Sequence, residues 1–92
     1  MRIWAKIITN QSIQKQTVRE FDSLRSFSAD ALGAVVHEFC QELDLARPVL
    51  LKKHICDFSR FLRVSFKQAD FMEEIDFDVF EIEVIKEKKK GS

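Results

Sequence analysis

His54 and Asp57 stand three residues apart in a stretch that reads as helix, and Arg60 and Arg63 continue the same interval. Side chains three or four apart share one face of a helix. A histidine oriented by a carboxylate beside guanidinium groups has the parts for general acid–base work on an anionic substrate. No activated nucleophile or glycine loop accompanies the pair, and such i,i+3 neighbours on a solvated face contribute only about a few tenths of a kcal/mol. His54 and Asp57 are therefore candidates for catalysis as the third of three readings.

The same stretch carries a second chemistry. Lys52, Lys53, Arg60, Arg63 and Lys67 interleave with Phe58, Phe61 and Phe66, the residue types that phosphate contacts and base stacking use. Between Leu45 and Ala69 there are six basic residues against one acid, Asp57, whereas Asp70 to Ile85 holds seven acids and no base. In so small a domain the acidic stretch neutralises much of that field. Fifteen basic and fifteen acidic side chains also cancel over the whole chain. A nucleic-acid or phosphate-ligand face built on Lys52, Lys53, Arg60 and Arg63 is thus the second reading, nucleic acid being a partner that the charge balance does not favour.

Metal and cofactor chemistry find less support. His37, Cys40, His54 and Cys56 could each ligate zinc, but none falls in the compact paired spacing that aims two ligands at one tetrahedral centre. Two glycines in the chain exclude a glycine-rich phosphate cradle. No metal and no cofactor is expected. Cys40 and Cys56 read as buried thiols rather than a disulfide, because no export signal is visible and the cytosol keeps thiols reduced.

The elements that must position these groups follow from periodicity. Arg2 to Thr9 alternates as a strand, with Ile3, Ala5 and Ile7 on one face and Trp4, Lys6 and Ile8 on the other. Asn10 to Ser12 turns the chain, and Gln14 to Phe21 reads as an edge strand closing a hairpin. Ser28 to Leu45 is a helix with Ser28 as its cap, because Leu32, Val35, Val36, Phe39, Cys40 and Leu43 fall in a stripe about 140° wide. A second helix runs from Pro48 to about Leu62 on the same principle, with Leu51, Ile55, Phe58 and Leu62 as its stripe and Phe61 alongside. Val49 to Lys52 as a short strand is the alternative there.

Arg63 to Lys67 is a short strand with Val64 and Phe66 on one side, and Gln68 to Ile75 is turn-like. Asp76 to Ile85 closes the fold, Phe80, Ile82 and Val84 alternating with Glu81 and Glu83. Opposite charges across a ladder favour pairing. Arg2 and Lys6 against Glu81 and Glu83 therefore make the first and last strands neighbours.

These elements give an α+β class in the order β-β-α-α-β-β: a mainly antiparallel four-stranded sheet with two helices on one face. Residues 1–85 are expected to form one domain and residues 86–92 a solvated tail. The longest apolar run, Ala31 to Val36, is six residues including a glycine, against roughly 20 for a membrane-spanning helix. A cytoplasmic chain with no membrane contact is expected. The Phe-dense run from Lys52 to Glu83 has the texture of a small bacterial protein, and no motif in it names a family.

On the outer sheet face, Trp4 and Ile8 on the first strand and Val79 and Ile85 on its neighbour form an apolar patch of the kind that marks association surfaces, unless Phe71 and Met72 cover it. The leading expectation is a non-enzymatic binding or scaffolding domain that self-associates or binds a protein partner through those four residues, a homodimer being the simplest form.

Overall fold

The computed structural model describes residues 2–21 and 29–85. Four strands and two helices follow in the expected order: β1 Arg2–Thr9, β2 Ser12–Glu20, α1 Ala29–Leu43, α2 Lys52–Phe61, β3 Arg63–Lys67 and β4 Val79–Ile85. The sheet order is β2-β1-β4-β3, and every pairing is antiparallel. Asn10 and Gln11 join β1 to β2 with positive φ angles of 51° and 65°. Two such residues make the turn whose twist matches a right-handed hairpin.

First and last strands are neighbours, as their charges predict. Lys6 lies opposite Glu81 in the ladder, its ammonium 2.7 Å from the Glu81 carboxylate and 3.4 Å from that of Glu83. The inner face carries Ile3, Ala5 and Ile7 of β1, Phe80, Ile82 and Val84 of β4, and Val64 and Phe66 of β3, all buried. The helices lie on this face. α1 inserts Leu32, Val35, Val36, Phe39 and Cys40, and α2 inserts Phe58.

α1 ends two residues before the expected Leu45. Asp44 adopts a left-handed φ of 56°, and the Leu45 N–H closes back on the Cys40 carbonyl at 2.9 Å, a C-terminal lock in which a short polar side chain tolerates the left-handed residue. The Ser28 cap and the 86–92 tail lie outside the described residues.

Other expectations need correction. α2 starts at Lys52 rather than Pro48. Pro48 is extended and buried, forming an isolated bridge with Phe71, while the Val49 N–H donates to the Asp70 carbonyl at 2.7 Å. This segment is thus a clasp across the Asp70–Phe71 loop. The late start turns Leu51 outward, 45% exposed, and Phe61 is 62% exposed, so neither belongs to the core stripe. The last strand begins at Val79, after the Asp78 N–H has bonded the Ile8 carbonyl.

The two thiols also differ. Cys40 is buried, and burial pushes its pKa up to about 11 against a smaller opposing pull from Arg47. Cys56 is exposed, because it falls on the solvent side of α2 beside Asp57.

No helix among the described residues is long and apolar enough to cross a membrane.

Candidate functional site

The most sharply built feature is a cleft between α2 and the edge strand β3. It begins with Leu62, which has the left-handed φ of 57° between helix and strand, a conformation that costs a non-glycine residue about 1–2 kcal/mol. Two backbone bonds hold it there. The Leu62 N–H donates to the Phe58 carbonyl at 3.0 Å, and its own carbonyl accepts from the Val84 N–H at 2.8 Å. The chain therefore reverses in one residue, and α2 runs back alongside the strand that follows it.

The space between them, about 350 Å³, is walled by Lys53, His54, Asp57 and Phe61 of α2 and by Arg63, Val64, Ser65 and Lys67 of β3, with Asp70 at one end.

The backbone of β3 opens toward solvent along its outer edge. Pairing of Leu62 with Val84, in the same register that sets Val64 opposite Ile82 and Phe66 opposite Phe80, makes these the hydrogen-bonded pairs of the ladder. Arg63, Ser65 and Lys67 must then point their N–H and C=O groups away from the sheet. Lys67 bears this out, its N–H donating to Asp70 Oδ2 at 2.9 Å. The N–H groups of Arg63 and Ser65 have no such partner among the described residues.

His54 forms the base of the cleft. It is the third helical residue of α2, and its Nδ1 accepts the N–H of the cap residue Leu51 at 2.9 Å, the role a glutamate plays in a capping box. The ring proton is thereby placed on Nε2. That atom is buried without an aligned hydrogen-bond partner, 3.3 Å from Asp70 Oδ1, close enough for electrostatic attraction. The ring also stacks at 4.6 Å on Phe66.

Burial is the largest single influence on the Asp70 carboxyl and pushes its pKa upward. The Lys67 N–H, the His54 imidazole and the Lys53 ammonium together outweigh it, so the pKa lies below the usual value. Lys53 Nζ is 3.7 Å from Asp70 Oδ1.

The expected His54–Asp57 pair is therefore replaced by His54–Asp70. Asp57 stands on the exposed wall of the cleft, while the histidine turns inward to the clasp. Of the expected basic face, Lys53 and Arg63 line the cleft and Lys52 and Arg60 do not. Arg60 instead lies over the Phe61 ring at 5.5 Å. Among the described residues no cluster of histidine, cysteine and carboxylate side chains could hold a metal.

Lys67, part of the interleaved basic stretch, also lines the cleft, and Ser65 and Asp70 join it without a signal of charge or spacing that pointed to them. The alternation of Arg63, Ser65 and Lys67 against Val64 and Phe66 marks only the polar side of the strand. For Asp70 no local spacing exists, because only the clasp brings it to α2.

Trp4, Ile8, Val79 and Ile85 do share the outer face, all half-buried. Ile8 is opposite Val79, and Trp4 lies diagonal to Ile85, but Lys6 with Glu81 and Glu83 sits between the two pairs. Lys6 also lies over the Trp4 ring at 4.0 Å, whose indole N–H donates to Gln16 at 3.0 Å. A charged centre thus splits the patch into two apolar ends. Phe71 and Met72 cover neither, Phe71 being buried against Phe77 and Met72 90% exposed.

The Trp4–Ile85 end continues into a hollow of about 560 Å³ that also includes Phe61 and Arg63, so it abuts the cleft.

No protein-family model, curated protein or solved structure matches this chain.

Proposed function

We propose that this chain is a non-enzymatic protein-binding domain that receives an extended segment of a partner at the free edge of β3, over the α2 cleft. The observation that carries this reading is the pair of outward backbone N–H groups, on Arg63 and Ser65, at an edge walled by a helix. An open strand edge is a template for another chain. Strand addition draws affinity from main-chain hydrogen bonds and specificity from spaces that take alternate side chains, and the cleft provides such a space.

The arrangement of His54 supports binding over catalysis. Its Nδ1 is committed to the helix cap and its Nε2 is buried facing Asp70. Neither nitrogen is free to exchange a proton with a molecule in the cleft, and a general acid or base must reach the reacting atom.

The test is a random peptide library panned against the wild type and against Ser65→Pro. Proline there removes one outward N–H and leaves the β3–β4 ladder intact, since edge strands tolerate proline where the N–H faces solvent. Enriched peptides should bind the wild type and lose binding to the variant, with circular dichroism reporting an intact fold. A folded variant that keeps the peptides, or a wild type that enriches none, overturns the proposal.

A further inference from the structure

The outer face of the sheet alternates in charge from strand to strand. β1 offers Lys6, β4 offers Glu81 and Glu83, and β3 offers Arg63 and Lys67. Lys6 is neutralised by the β4 carboxylates at 2.7 and 3.4 Å. Arg63 lies across from Glu83 and Lys67 across from Val79, yet neither cation is in an ion pair among the described residues. Their free side is the edge where no fifth strand follows among the described residues.

From this alternation we infer that the segment received by β3 is acidic at two positions four residues apart, with carboxylates opposite Arg63 and Lys67 and apolar residues between them. The inference rests on the strand-addition reading and names the chemistry of its ligand. Cross-strand pairs of opposite charge are favourable and like charges opposed are not, so an acidic column continues the pattern that β1, β4 and β3 begin. Residues on alternate positions of the incoming strand face the other way, toward Phe61 and Val64 in the cleft. Asp70 takes the Lys67 N–H, which ends main-chain pairing there and leaves the last acidic residue to reach Lys67 by its side chain. Asp57 and Asp70 in the same cleft weigh against a nucleic-acid backbone, whose closely spaced phosphates would meet them.

Three labelled peptides test this, with central sequences Glu-Val-Thr-Val-Glu, Gln-Val-Thr-Val-Gln and Lys-Val-Thr-Val-Lys, beside a deoxythymidine decamer. Fluorescence anisotropy should give the Glu peptide about three- to tenfold tighter binding than the Gln peptide, and the Lys peptide the weakest. The gap should narrow in high salt. Arg63→Glu should bring the two charged peptides to about equal affinity, since each then meets one opposite and one like charge, and Arg63→Glu combined with Lys67→Glu should reverse their order; Lys67→Glu alone, facing Val79 rather than a carboxylate, levels them where Arg63→Glu fails to fold. Equal binding of the three, with Ser65→Pro still abolishing it, overturns the charge inference and leaves strand addition standing. Binding of none, or preference for the decamer, overturns both.

Discussion

The sheet has two edges, and they differ in what lies beside them. At β2 the register with β1 leaves the backbone of Gln16, Val18 and Glu20 directed outward, so among the described residues this edge is as unpaired as that of β3 and almost twice as long. Its inner face, however, is drawn down onto α1: Arg19 reaches Glu38 and Glu42 at 3.4 and 3.2 Å, and the Thr17 hydroxyl donates to Glu42. A register shift near Ile7 and Ile8 bends the strand, a common way to blunt an edge. At β3 the helix stands off and leaves a walled space. Unpaired backbone is therefore not what distinguishes the candidate site; the wall is.

The sharpest way to break this comparison is a matched pair of prolines. Ser65→Pro should eliminate peptide capture, while Val18→Pro, which removes an outward N–H from the other edge, should leave it within about twofold, since no ladder bond is lost in either case. Loss of capture in both variants would mean that peptide affinity does not reside at the β3 edge.

The helices repeat the contrast in energetic terms. α2 rests on β3 through Phe58, fully buried, and through the His54–Phe66 stack. Phe58→Ala should destabilise the fold by about 3–5 kcal/mol, as large-to-small changes in a packed core do. Chemical denaturation measures this directly, and a loss under 1 kcal/mol would show that α2 is held some other way.

The clasp beneath α2 is the next largest effect and is sensitive to pH. Asp70 has a lowered pKa in the fold, so its contribution is complete above the unfolded value of about 3.9 and disappears as pH falls through the folded value. Asp70→Asn should cost about 1.5–3 kcal/mol at pH 7, the range for hydrogen bonds to charged groups. The gap between variant and wild type should begin to narrow below about pH 4 and close only as pH falls through the lowered folded pKa, where the Asp70 carboxyl becomes neutral. A gap independent of pH would assign the loss to shape rather than charge.

How far the chain disclosed all this varies with the kind of pattern. The order of elements, the β1–β4 neighbours and the α1 stripe were legible because each rests on period or on charges set directly across a ladder. Phe61 misled because helical spacing aligns it with Phe58, while the left-handed Leu62 just beyond it ends the helix and turns it to solvent. His54 misled in the opposite sense. Its spacing from Asp57 is local and visible, but its actual partner, Asp70, is delivered by a loop that Pro48 and Val49 clasp. Contacts made by loop closure leave no period to read. The cleft was half legible for the same reason: Lys53, Arg63 and Lys67 stood out by charge, and Ser65 joins them only once β3 is known to be an edge.

The smallest effect belongs to the α1–β2 side. Arg19 is 39% exposed and its carboxylate partners 44% and 36%, and ion pairs this wet contribute up to about 1 kcal/mol. Arg19→Ala should therefore lower stability by less than that, and the difference should shrink further in high salt as screening weakens the pairs. Peptide capture at β3 should be unchanged, because the substitution lies at the opposite edge of the sheet. A loss comparable to that of Phe58→Ala would mean that β2 is anchored by Arg19 rather than by its ladder to β1, and that the two edges are less different than their surroundings indicate.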